Sequence, residues 1–184
     1  MPILKAETEL YPSTLLDEVA PVDTDRKWWA VYTKSRQEKA IARQLKGMDV
    51  PFYLPLVPQT TMIGTRRVKS LLPLFPSYLF VFGSDLERVA TLSTQRVTQM
   101  LCAADNAVMT RDLANIRTMI EAGVPMTLES RLEPGRRVRI KKGALMGMEG
   151  TVVTRRGAER LLVAVQFLQQ GVSIEINDYQ LEPL

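Results

Sequence analysis

The sequence predicts an α+β protein: an N-terminal α/β sandwich on a mainly antiparallel sheet, followed by a small β-barrel. Three observations carry this. Residues 27–122 read in the order β-α-β-β-α-β-α, which buries helices on the faces of one sheet. Residues 123–133 hold Gly123 and Pro125 among polar residues and read as a linker. Residues 134–184 hold four to five short strands with glycine in the turns, the pattern of a small barrel.

Residues 1–26 carry three prolines, no sustained period, and two basic against six acidic side chains. They read as a disordered acidic tail. Trp28–Thr33 is a strand by its aromatic and β-branched content. Alternation puts Trp28, Ala30 and Tyr32 on one face, and Trp29, Val31 and Thr33 on the other. Ser35-Arg36-Gln37-Glu38 has the spacing of a capping box, Ser35 as cap and Glu38 three residues on, and Gly47 is the expected stop. On that helix Ile41 and Leu45 lie on one side, and Lys39, Arg43 and Lys46 on the other. Such a stripe is what ordinary solvation produces. With Lys34 and Arg36 beside it, contact with nucleic acid is the competing reading.

Pro51–Pro55 is extended, and Val57–Leu72 is a hairpin with Gly64 near its tip and Arg66, Arg67 and Lys69 on the returning arm. Phe75–Phe82 is the strongest strand. Tyr78, Phe80 and Phe82 share one face and Leu79 and Val81 the other, so it is buried on both sides or offers one to a partner. Asp85–Leu92 reads as a helix and Gln99–Cys102 as a buried strand. Thr110 is the expected cap of a last helix with Leu113, Ile116 and Ile120 inward. Beyond the linker, strands are expected at Arg137–Lys141, Glu149–Thr154, Leu161–Gln166 and Val172–Ile176, then a short closing strand.

The composition excludes more than it selects. The chain has 184 residues, 46% of them hydrophobic, and no apolar run near the ~20 residues of a membrane helix. Nor does the N-terminus show a signal pattern, so a cytoplasmic protein away from membranes is expected. A single cysteine and no histidine remove disulfides, the usual zinc sites and the Ser-His and Cys-His nucleophile pairs. No phosphate-cradling glycine loop is present. A binding protein is expected: no catalytic residues, no metal, no cofactor, and a monomer. Net charge is +4, but residues 1–26 hold −4 and residues 27–132 hold +6, so an acidic tail precedes a basic domain.

Lys141 to Val152 places Lys142, Gly143, Gly147 and Gly150 in a tight loop between two strands. The run resembles the KOW motif of transcription elongation factors and ribosomal proteins. Upstream, WWAVYTKSRQEKA followed by PLFPSYLFV resembles the N-terminal domain of the bacterial NusG transcription elongation factors. Together the matches cover residues 27–184. The PLFPSYLFV run is closer to the specialised RfaH branch, since a housekeeping member would typically have glycine at Ser77.

The resemblance implies a factor that binds the clamp helices of the RNA polymerase β′ subunit and suppresses pausing or termination, with selected operons as targets. It implies Tyr32, Phe75, Tyr78 and Phe80 as the polymerase-binding pocket. Lys34 matches the DNA-contacting position after the first strand. Arg36, Lys39, Arg43, Lys46 and Arg96 complete the expected nucleic-acid surface, with the non-template DNA strand as its ligand. RfaH's further base-reading residues are not reproduced, because Gln44, Gly47 and Met48 stand there and Thr94-Gln95 replaces a Thr-Arg pair. A ribosomal protein or the termination factor Rho is the expected partner of the KOW domain. The alternative reading is a ribosome- or RNA-binding KOW protein that does not act on polymerase.

Overall fold

The computed structural model describes residues 7–17, 25–129, 131, 134–155, 157–176, 179 and 181–184. The chain divides into two compact units, Met1–Asn106 and Ala107–Leu184. The mixed α+β class with antiparallel sheets is as the sequence predicts.

In the first unit the strands are β1 (Leu10–Tyr11), β2 (Lys27–Thr33), β3 (Phe52–Tyr53), β4 (Leu56–Ile63), β5 (Arg66–Pro73), β6 (Tyr78–Gly83) and β7 (Val97–Cys102). The helices are α1 (Glu38–Gly47) and α2 (Asp85–Ser93). Five strands form one antiparallel sheet in the order β1-β3-β6-β2-β7, while β4 and β5 form a separate two-stranded sheet. Alternation decides which side of the large sheet packs on α1. Val31 of β2 and Leu79 and Val81 of β6 meet Ile41, Ala42 and Leu45 of α1 in one core. Burying each of these valine, leucine and isoleucine side chains contributes about 1.5–3 kcal/mol. Trp28 and Phe82, on the other face, pair at 5.2 Å between ring centroids.

Four local expectations change. The capping box does not form at Ser35: α1 starts at Glu38 with Gln37 as its cap. Glu38 turns instead to the backbone of Ser77, whose N–H donates to its Oε1 at 2.7 Å. A capping arrangement does occur at α2, where the Ser84 N–H donates to Glu87 Oε2 at 2.7 Å. The left-handed residue after α1 is Asp49, at φ 58°, and not Gly47. Cys102, expected buried, is exposed, because β7 is an edge strand. The tail is not featureless over its described part, since β1 pairs with β3 and Leu16 is buried.

The second unit holds α3 (Asn106–Glu121) from Ala107 onward and strands β8 (Thr127–Glu129), β9 (Arg136–Ile140), β10 (Glu149–Arg155), β11 (Ala158–Val165), β12 (Gln170–Glu175) and β13 (Leu181–Pro183). Thr110, expected as the cap of α3, lies a turn inside it and is buried. The helix starts earlier, where the Asn106 side chain accepts the Trp28 N–H at 2.9 Å and donates to the Arg26 carbonyl at 3.1 Å. Met119 takes the buried place expected of Ile120.

The strands form one antiparallel sheet, β13-β9-β10-β11-β12-β8. Among the described residues its ends, β13 and β8, do not pair, so the expected barrel is an open sheet. The edge strand β8 falls inside the segment expected as linker, with Val172 opposite Leu128. A row of unpaired groups on β12 captured it, which local turn chemistry does not reveal.

Candidate functional site

The aromatic candidates gather where β2 and β6 end. Tyr32 and Tyr78 are cross-strand partners with ring centroids 5.1 Å apart. Tyr32 is 38% exposed and Tyr78 is half-buried. Phe75 and Phe80 lie wholly inside and meet edge-to-face at 6.1 Å. Thus two of the four reach the surface, and Phe80, which shares a strand face with Tyr78, is core. Phe80 lies opposite Ala30 on one side and Tyr53 on the other, in the interior of the sheet, whereas Tyr78 pairs at the last rung.

The turn carrying Tyr78 is held from two directions. The Tyr78 N–H donates to the Phe75 carbonyl at 3.1 Å, and the Thr33 N–H donates to the Ser77 carbonyl at 2.8 Å. Ser77 sits at φ 64°, a region glycine enters at little cost. Glu38, 7% exposed, closes the turn from α1. Sequence reading missed this tie, because Glu38 also fits the spacing of a capping box.

Of the basic candidates, Lys34 and Arg96 adjoin the same corner. Past Thr33, the Lys34 N–H donates to the Arg96 carbonyl at 2.8 Å. Lys34 and Arg36 are exposed and Lys39 is half-buried. None of the three has an ion-pair partner among the described residues. Arg96 is braced against α1, with Nε donating to Gln44 Oε1 at 3.0 Å and Nη1 to Gln37 Oε1. Arg43 and Lys46 are engaged by the N-terminal segment: Arg43 Nη1 meets Glu7 Oε1 at 2.6 Å, and Lys46 Nζ donates to Thr8 Oγ1 at 2.8 Å. Beside them the Tyr11 hydroxyl donates to Asp49, and that bond raises the phenol's pKa. Arg66 and Arg67 lie on β5, in the separate hairpin with Lys69.

In the second unit the glycine loop joins β9 to β10. Lys142 is exposed, and Gly143 and Gly147 have φ of 99° and 86°. Gly147 N–H donates to the Ile140 carbonyl at 2.8 Å and Ile140 N–H to the Met148 carbonyl at 2.9 Å, which folds the loop onto β9. At Gly150 a Cβ would lie 2.7 Å from the Leu162 carbonyl oxygen. Here glycine is required by close approach, not by its torsion.

An open cleft beside this loop is lined in part by Arg111, Asp112, Arg137 and Glu149. Asp112 accepts the Gln166 N–H at 3.0 Å, and burial raises its pKa despite that bond. Arg139, bonded to Glu149 at 2.6 Å, lowers the Glu149 pKa. Among the described residues no three potential metal ligands cluster, and no helix is long and apolar enough to cross a membrane.

No curated protein matches the chain. A solved structure on domain interaction in Thermotoga maritima NusG shares 17% identity at a TM-score of 0.47, over 84% of this chain and 96% of that one. A structure of the MjSpt4:Spt5 complex in conformation B shares 13% identity at a TM-score of 0.30, over 85% and 97%. The family model described as transcription termination factor nusG matches residues 26–120. That span is just over half of the chain and takes in β2, α1, β6 and both surface tyrosines, and the protein belongs to the NusG family.

Proposed function

We propose that the chain is a transcription elongation and antitermination factor that docks on the β′ clamp helices of RNA polymerase through Tyr32 and Tyr78. The observation that carries this is the tyrosine pair itself, Tyr32 on β2 against Tyr78, which follows a turn that Glu38 and Thr33 hold in place. Two amphipathic rings at the surface suit the side of a partner helix. Phe75 and Phe80, wholly buried and packed edge-to-face on each other, then belong to the core of the same unit and not to the contact. A bound bridging domain favours the closed polymerase by its differential affinity for that state.

Lys34, Arg36 and Lys39, with Arg96, are the cations best placed to follow the non-template strand. Lys142, Gly143, Gly147 and Gly150 form the KOW loop in this reading, and the second unit recruits a ribosomal protein or Rho. The proposed organisation is an N-terminal domain over 27–122 and a KOW domain over 134–184. The RfaH-like specialisation for selected operons rests on the PLFPSYLFV run. No catalytic step is assigned to any residue.

The test is the affinity of the full chain for isolated β′ clamp helices of its host polymerase. The expected result is binding that Tyr32→Ala weakens. Absence of binding to the clamp helices, with binding to ribosomes retained, would return the chain to the alternative reading.

A further inference from the structure

The acidic N-terminal segment lies across the outward face of α1. Glu7 meets Arg43 and Thr8 meets Lys46, at 2.6 and 2.8 Å. Three further contacts fix the segment there. The Leu54 N–H donates to the Glu9 carbonyl at 2.6 Å, β1 adds to the sheet edge at β3, and the Tyr11 ring stacks on Phe52 at 6.4 Å. Residues 1–26 carry −4 in all, so the segment brings negative charge to a positive face.

A carboxylate and a hydroxyl accept hydrogen bonds from arginine and lysine as phosphate oxygens do. Arg43 Nη1 and Lys46 Nζ cannot serve both at full strength. We infer that residues 7–17 form a strap that occupies the nucleic-acid face of α1, and that single-stranded nucleic acid and the strap compete for Arg43 and Lys46. This rests on the reading of that face as a nucleic-acid surface. The strap lowers apparent affinity by the fraction of molecules in which the face is covered. It holds no deep core anchor beyond Leu16, and exposed pairs such as Glu7–Arg43 are weak, so displacement is within reach of a polyanion.

The experiment uses the full chain and a labelled oligothymidine of about 20 nucleotides, titrated across salt from roughly 50 mM upward. Glu7→Gln with Thr8→Ala frees both cations. Two added phosphate contacts steepen the log-log salt slope by about 1.4 on single strands, and binding at low salt tightens about 3- to 10-fold. Asp85→Asn, which removes one exposed acid on α2, controls for net charge and shifts affinity less than about 2-fold. In the Glu7→Gln/Thr8→Ala background, Arg43→Gln with Lys46→Gln abolishes the gain. In the parent chain, hydrogen exchange of residues 7–17 quickens when the oligonucleotide is added. Equal affinity and slope in parent and freed chain, or unchanged exchange while the oligonucleotide is bound, overturns the strap. No binding by any variant at low salt overturns the nucleic-acid reading of the face, and the strap with it.

Discussion

Truncating Tyr78 and truncating Phe80 should have opposite signatures, although the two residues are two apart on one strand. Phe80 is fully buried and packs edge-to-face on Phe75. Phe80→Ala removes its ring from the core and leaves a cavity, a change that costs about 3–5 kcal/mol. In a unit of this size each kcal/mol lowers Tm by roughly 4–8 °C, so a drop of about 12–40 °C is expected. Tyr78 is half-buried and its ring contact is with Tyr32. Tyr78→Ala forfeits that pairing and part of the ring's burial, about 1–2 kcal/mol. Its larger effect should be on the partner, since a central aromatic anchor at an interface contributes ~2 kcal/mol or more, on the order of 30-fold in affinity. The assay is thermal unfolding of each variant beside its affinity for isolated β′ clamp helices. A Phe80→Ala chain as stable as the parent would refute the assignment of Phe80 to the core. Folded Tyr78→Ala and Tyr32→Ala chains that bind as tightly as the parent would sink the docking pair.

Three further outcomes follow from local geometry. Ser77→Gly should stabilise the first unit by about 0.5–1 kcal/mol in chemical denaturation, because Ser77 sits at φ 64°, where a Cβ is strained. Gly150→Ala should destabilise the second unit by about 1–3 kcal/mol, because the new Cβ meets the Leu162 carbonyl at 2.7 Å and backbone cannot step aside cheaply. The raised pKa of Asp112 means that the folded chain holds its proton at a pH where the unfolded chain has lost it. Its contribution to stability therefore rises as pH falls through that window and is adverse above it. Asp112→Asn, which keeps an acceptor for the Gln166 N–H, should raise stability at neutral pH and remove this part of the pH dependence in denaturation from pH 3 to 7. Glu149 works in the opposite sense. Its lowered pKa gives stability above the ordinary carboxylate range that is lost as pH falls, so the Asp112 share is read as the difference from the parent.

Periods and punctuation in the sequence reach the elements but not their partners. The two-residue alternation of Trp28–Thr33 and Tyr78–Phe82 assigns each side chain to a face, and the Val31, Leu79 and Val81 side is the one packed on α1. The helical spacing of Ile41 and Leu45 likewise orients α1, and the glycine run of residues 143–150 marks a loop between two strands. These signals are local, set by backbone geometry over a few residues. What covers the other face of a strand is not local. Phe80 and Tyr78 share a face in sequence, yet one is core and one is surface, because neighbours Ala30 and Tyr53 flank the first and the sheet ends at the second. Glu38 fits a cap by spacing and instead bonds a turn 39 residues away. The tail reads as disordered from its prolines and acids, but a free edge at β3 and the cations of α1 give Glu7–Tyr11 a place to bind. Long-range pairing is decided by edges and charges that only the assembled sheet presents, and there the tertiary structure, not the sequence pattern, made the choice.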